Sequence, residues 1–128
     1  MTRALADTSL FIARESGRRF AEIDLPDELA ISVITLGELR AGVLAATDIS
    51  TRDRRLATLA EVMTIDAVPI DQPVAEMWAR LRLLLRDAGR RMPVNESWIA
   101  ATAMTLGVPV VTQDDHYAEV VSLVVIRV

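Results

Sequence analysis

Short, nearly wholly apolar runs alternate with longer runs of helical spacing along the chain, and that alternation constrains the fold more than any other feature. Leu5-Ala6 reads as a short buried strand, followed by strands at Leu29-Ala30-Ile31-Ser32-Val33, Val68-Pro69-Ile70-Asp71, Val108-Pro109-Val110-Val111-Thr112 and Leu123-Val124-Val125-Ile126. Between them a helix carries Leu10, Phe11, Ile12 and Ala13 and stops near Gly17, and a second runs from Ile34 to Ala46. In the second helix Gly42 predicts close packing against a neighbour. Asp48 to Thr51 caps a third helix with Leu56, Leu59, Ala60 and Met63 at helical spacing. Pro73 starts a fourth, in which Val74, Met77, Trp78, Leu81, Leu84, Leu85 and Ala88 share a face, ending at Gly89. A fifth spans Glu96 to Leu106, with Asn95 as N-cap and Gly107 as terminator, and Gln113 to Glu119 reads as a loop or short helix. Trp78 and Trp98 fall on apolar faces and read as core. Apolar strands alternating with helices predict an α/β fold of three layers, α/β/α, around a central, mostly parallel, Rossmann-like sheet. Without repeats, low-complexity tracts or linkers, residues 1–128 read as a single domain. In open sheets of this kind, ligands bind beyond the carboxyl ends of the strands.

Composition narrows the chemistry available there. With 52% hydrophobic and 25% charged residues in 128, the chain can bury a core. The absence of cysteine excludes disulfides, thiolate nucleophiles, iron-sulfur clusters and zinc-thiolate sites. All 14 basic residues are arginine, so a phosphate-loop lysine and Schiff-base chemistry are excluded as well. Serine hydrolysis lacks a Gly-x-Ser-x-Gly elbow. The 14 basic and 18 acidic residues leave a net charge of −4, which argues against a protein that coats nucleic acid. Asp7 stands where a secretory signal would run apolar, and no apolar run reaches membrane-spanning length, so a soluble cytoplasmic protein is the expectation.

Carboxylates are what remains. Asp7 follows the first strand, Asp114 and Asp115 follow the strand ending at Thr112, and Glu96 opens a helix after a turn. Glu38 lies on a helix among Leu36, Leu39 and Val43, and a carboxylate in apolar company needs a partner. Each acid has an ordinary role open to it: Asp7 as a helix cap, Glu38 paired with an arginine such as Arg40, Glu96 favoured by the helix dipole, and Asp114-Asp115 as a turn. Converging, they would repel unless a cation sat among them. With no lysine and one histidine, the economical cation is a hard divalent ion with oxygen ligands, Mg²⁺ or Mn²⁺, which is the apparatus of phosphodiester hydrolysis.

Four segments in order, Leu5-Ala6-Asp7-Thr8-Ser9, Glu38-Leu39-Arg40-Ala41-Gly42, Asn95-Glu96-Ser97-Trp98-Ile99-Ala100-Ala101-Thr102-Ala103 and Thr112-Gln113-Asp114-Asp115, carry a resemblance that covers essentially the whole chain. The sequence resembles the PIN-domain ribonucleases, and within them the VapC toxins of bacterial toxin-antitoxin modules. The resemblance implies a Mg²⁺- or Mn²⁺-dependent endoribonuclease acting on structured RNA such as tRNA or rRNA, inhibited by a VapB-type antitoxin. The antitoxin would lie across the helices near the second strand and insert an arginine among the acids. By motif position Asp7, Glu38, Glu96 and Asp114 take the catalytic places, with Asp7, Glu96 and Asp114 as metal ligands and Glu38 ligating or orienting a metal-bound water. Thr8, Ser9, Thr112 and Asp115 stand as supporting donors or alternative ligands. A homodimer is expected from the family, in keeping with a mean hydropathy of +0.31.

One position departs from the pattern: Glu96 stands where the family usually has Asp, and the extra methylene pushes the carboxylate outward. The alternative reading is therefore a catalytically weakened PIN-fold module that keeps antitoxin and RNA binding. Arg14, Arg18, Arg19, Arg90 and Arg91 flank the motifs and are candidate phosphate contacts, Arg90, Arg91 and Arg14 foremost. His116, a lone imidazole in a polar turn, is expected to be solvated, or to touch RNA if it acts. Aromatic residues at 4% leave little for base stacking, so recognition would use RNA shape and backbone.

Overall fold

A computed structural model describes residues 1–18, 25–117 and 120–128. Arg19 and Glu119 lie outside the described residues, so the readings that fall on them carry no structural account. The elements in chain order are β1 (Arg3–Ala6), α1 (Thr8–Glu15), β2 (Glu28–Ser32), α2 (Val33–Ala45), α3 (Ile49–Val62), β3 (Ala67–Val68), α4 (Gln72–Asp87), α5 (Val94–Leu106), β4 (Val110–Thr112) and β5 (Val125–Arg127). The five strands form one sheet in the order β3-β2-β1-β4-β5, and every pairing is parallel. Leu5 is in register with Ala30 on one side and Val110 on the other. The winding reverses at β1: the chain moves outward through β2 and β3, then returns to build β4 and β5 on the opposite flank. That reversal leaves a crevice at the carboxyl ends of β1 and β4.

Strand periodicity explains the two helical layers. Ala4, Ala6, Ile31 and Val111 point to one face, where Leu10 and Phe11 of α1, Leu39 and Val43 of α2, and Leu59 and Val62 of α3 cover them. Leu5 and Val110 point to the other, against Val74, Leu81 and Leu85 of α4 and Ile99, Ala100 and Ala103 of α5. Each fully buried Leu, Ile or Val side chain contributes about 1.5–3 kcal/mol. The run of buried alanines in α5 lets that helix approach closely.

Side-chain caps place the helix starts at strand ends. Asp7 accepts from the Ser9 amide to open α1, and Ser32 accepts from the Ile34 amide to open α2. Asp48 and Asp71 cap α3 and α4, and Gly107 ends α5 in the left-handed conformation at φ 67°.

Several elements differ from the sequence reading. β3 is confined to Ala67–Val68, because Pro69 has no N–H to continue a ladder and Asp71 is spent as a cap. β5 is Val125–Arg127, while Leu123 turns into the core instead of pairing. Between Gln113 and Tyr117 there is no helix. The N-cap of α5 is Pro93 and not Asn95, which sits inside the first turn with its amide directed at Glu38. Gly42 is not forced by close packing: a Cβ there would meet only Arg55 Cδ at 3.9 Å, while the Gly42 carbonyl accepts from Arg55 Nη1 at 2.7 Å. Trp78 and Trp98 are half-buried rather than core, stacked with centroids 4.3 Å apart and planes at 1°. The Trp78 indole donates to Ser97 Oγ, and the Arg82 guanidinium lies 4.8 Å from its ring centre. Among the described residues no helix is long and apolar enough to cross a membrane.

Candidate active site

Asp7 leaves β1 at the crevice and is only 2% exposed. Its Oδ1 accepts from the Tyr117 hydroxyl at 2.7 Å; its Oδ2 accepts from Thr112 Oγ1 at 2.9 Å and from the Ser9 amide at 3.3 Å. A threonine hydroxyl has one proton, so with that of Thr112 on Asp7, Ser9 Oγ must donate across the 3.1 Å contact to Thr112. The Gln113 amide in turn donates to Ser9 Oγ, and the Asp114 amide to Thr112 Oγ1. This relay ties the end of β1, the start of α1 and the end of β4 to one carboxylate oxygen.

Glu38 reaches the crevice from α2. Thr8 Oγ1 donates to its Oε1 at 2.7 Å, and Asn95 Nδ2 donates to its Oε2 at 3.3 Å. By the same one-proton argument, Thr35 is the donor in its 2.9 Å contact with Thr8. Partial burial raises the Glu38 carboxyl above its ordinary range, opposed by the Thr8 and Asn95 hydrogen bonds and reinforced by the charges of Glu96 and Asp7.

Glu96, in the first turn of α5, and Asp114, just past β4, complete the acidic group. Burial and then the charge of Asp7 raise Asp114, with His116 and Arg18 opposing and Glu96 adding. His116 Nδ1 lies 3.5 Å from Glu96 Oε1 and 3.8 Å from Asp114 Oδ2. One ligand atom from each of Glu96, Asp114 and His116 falls within 4.8 Å of the others. Burial and the neighbouring acids push the Tyr117 phenol well above its ordinary value, so it remains a proton donor to Asp7.

Asp7, Glu38, Glu96 and Asp114 thus meet, each within electrostatic reach of another, and Thr8, Ser9 and Thr112 hydrogen-bond within the group. Burial first, and then the charges of Asp7 and Glu96, raise both Glu38 and Asp114, so the group as a whole favours a positive charge among its oxygens. A donor set of carboxylate oxygens with one imidazole fits a divalent cation. Asp115 is turned away, 87% exposed at its side chain and paired with Arg127 at 2.7 Å. Arg14 pairs with Glu61 of α3 at 3.2 Å, on the surface between α1 and α3. Glu38 takes Thr8 and Asn95 as partners instead of an arginine. Arg90 and Arg91 are exposed along a groove of about 280 Å³ with Arg82, Arg86 and Met92.

Sequence reasoning missed Tyr117, Thr35 and the role of Asn95, and it left His116 to solvent. A tyrosine two places beyond the Asp114-Asp115 turn was a usable signal for Tyr117, since a buried phenol needs a partner for its hydroxyl. Nothing local marks Thr35, whose partner lies on another helix.

The chain matches the PIN domain family over residues 4–123. It is 52% identical over 112 residues to Ribonuclease VapC5 of Mycobacterium tuberculosis, covering 88% of this chain and 83% of that protein. Ribonuclease VapC4 of the same organism is 44% identical over 126 residues, covering 98% and 97%. A crystal structure of VapBC-5 from M. tuberculosis, described as a member of the VapBC family of toxin-antitoxin systems, matches at a TM-score of 0.92 and 44% identity, covering 100% of both chains.

Proposed function

The chain belongs to the PIN-domain family, with VapC ribonucleases as its relatives, and on that premise we propose that it is the toxic endoribonuclease of a toxin-antitoxin module. It hydrolyses phosphodiester bonds of structured RNA, tRNA or rRNA, using Mg²⁺ or Mn²⁺ held by Asp7, Glu96 and Asp114. The observation that carries the reading is the meeting of Asp7, Glu38, Glu96 and Asp114 at the reversal of strand order, with burial and then the charges of Asp7 and Glu96 raising Glu38 and Asp114. The relatives' ribonuclease names favour an active enzyme over a weakened binding module.

In this reading the bound cation supplies activation of water and neutralisation of charge developing on the phosphate. The chain's own groups do the positioning. Tyr117, Thr112 and Ser9 hold Asp7 so that both its oxygens keep a fixed direction. Glu38, steadied by Thr8 and Asn95, is the group able to accept the proton released by the attacking water, and its raised proton affinity suits that task. Arg90 and Arg91 meet RNA phosphates along their groove, so a net charge of −4 excludes a nucleic-acid coat without excluding a nuclease. A VapB-type antitoxin is the partner, by analogy with the VapBC complex, and the enzyme works as a cytoplasmic, single-domain homodimer.

The test is cleavage of a tRNA and rRNA pool by purified protein in Mg²⁺ or Mn²⁺, in chelator, and after Asp7→Asn. Cleavage is expected with either metal and background is expected in the other two conditions. Equal cleavage in chelator would overturn the carboxylate-metal mechanism.

A further inference from the structure

His116 is the one imidazole in the chain, and the fold brings its Nδ1 to the edge of the acidic group instead of leaving it free in the turn. The distances can be compared with a coordination shell. Ligand bonds of about 2.1 Å at right angles put neighbouring donor atoms about 3.0 Å apart, and opposite ones about 4.2 Å. The observed 3.5 Å to Glu96 and 3.8 Å to Asp114 fall between those values, and all three ligand atoms lie within 4.8 Å of one another, so rotamer adjustment of the exposed His116 and of the two carboxylates brings them onto one cation. The longer side chain of Glu96 matters here. It carries the carboxylate outward from α5 to within reach of the turn that holds His116, whose side chain is 57% exposed and free to adjust.

The geometry points to His116 as a nitrogen ligand of the metal centre, sharing one divalent ion with Glu96 and Asp114. This rests on the metal-centre reading above and adds to it a statement about which metal the site prefers. Magnesium takes hard oxygen donors and tolerates imidazole poorly, whereas imidazole is an ordinary ligand for transition metals. A site with one nitrogen and carboxylate oxygens therefore discriminates for Mn²⁺ over Mg²⁺, where an all-oxygen site would accept both. The competing account of the same contacts is a plain ion pair, with a protonated His116 lying between two carboxylates. The two differ in what a bound metal would touch.

The experiment uses the full chain and two measurements: calorimetric titration with Mn²⁺ and with Mg²⁺, and the electron spin echo envelope of the Mn²⁺-loaded protein. Wild type should bind Mn²⁺ and show nitrogen couplings of a directly bound imidazole. His116→Gln should lose those couplings and weaken Mn²⁺ by at least about tenfold while leaving Mg²⁺ within about twofold. His116→Asp, which restores an oxygen donor, should bring the two affinities back together, and because the position is exposed both variants should melt as wild type does. Mn²⁺ binding without nitrogen coupling, or an equal change for both metals in His116→Gln, overturns the inference and leaves the carboxylate centre standing. If wild type binds neither metal, both readings fall.

Discussion

Asp7 performs two tasks that most helices assign to different residues. One oxygen caps α1, while both point into the crevice and take hydrogen bonds from hydroxyls contributed by distant parts of the chain. A carboxylate that is only 2% exposed survives because those donors replace water. Tyr117→Phe removes the hydroxyl and little else, leaving Oδ1 buried and short of a donor. Urea denaturation in chelator at neutral pH should show a loss of about 1.5–3 kcal/mol, the range for a hydrogen bond to a charged group. An unchanged midpoint would mean that water enters and takes the hydroxyl's place. The acids themselves were legible along the chain, Asp7, Glu96 and Asp114 because each sits where a strand ends or a helix begins, and Glu38 because it lies among apolar residues of α2. Their donors were not: Tyr117 lies 110 positions from Asp7 and Asn95 lies 57 from Glu38, and hydrogen-bond direction is a property of the folded arrangement.

Helix α2 shows how local signals can be right about an element and wrong about its reason. Gly42 reads as a contact point for a neighbouring helix, yet a Cβ there would make only ordinary contact with Arg55 Cδ at 3.9 Å, and it is the Gly42 carbonyl that Arg55 of α3 engages. Glycine there costs helix stability without a steric return. Gly42→Ala should therefore raise stability by about 0.5–1 kcal/mol in a thermal or urea melt, with RNA cleavage unchanged. A loss of stability would show that the added methyl displaces Arg55. The same distinction runs through the other elements. The alternation of strands and helices was readable because apolar period follows secondary structure directly. The ends were less so. Pro69 cut β3 short, and Pro93 opened α5 ahead of Asn95, since tertiary partners claimed the polar side chains that would otherwise have capped locally.

At the level of the molecule, the site opposes the fold that builds it. Burial raises Glu38 and Asp114, so each binds its proton more tightly in the folded chain than in the unfolded one. A raised carboxyl contributes stability that is fully present below its unfolded value and is lost as pH rises through the higher folded value. In the metal-free protein, raising the pH therefore works against the fold at both groups, because each place favours the neutral form. Exposed Asp48 shifts the opposite way through its hydrogen bonds to Thr51, so a single melting profile mixes contributions of both signs. The difference between wild type and Glu38→Gln isolates one of them. In chelator, the variant should gain on wild type as pH rises from about 4 to 7, because the amide has no charge to bury. Saturating Mn²⁺ should reverse the order at neutral pH, stabilising wild type by about 2.7 kcal/mol at a hundredfold excess over its dissociation constant and the variant by less. That increment should shrink on acidification, since protons and cation compete for the same oxygens. A melting difference between the two proteins that ignores both pH and metal would mean that Glu38 is solvated in solution and takes no part in the centre.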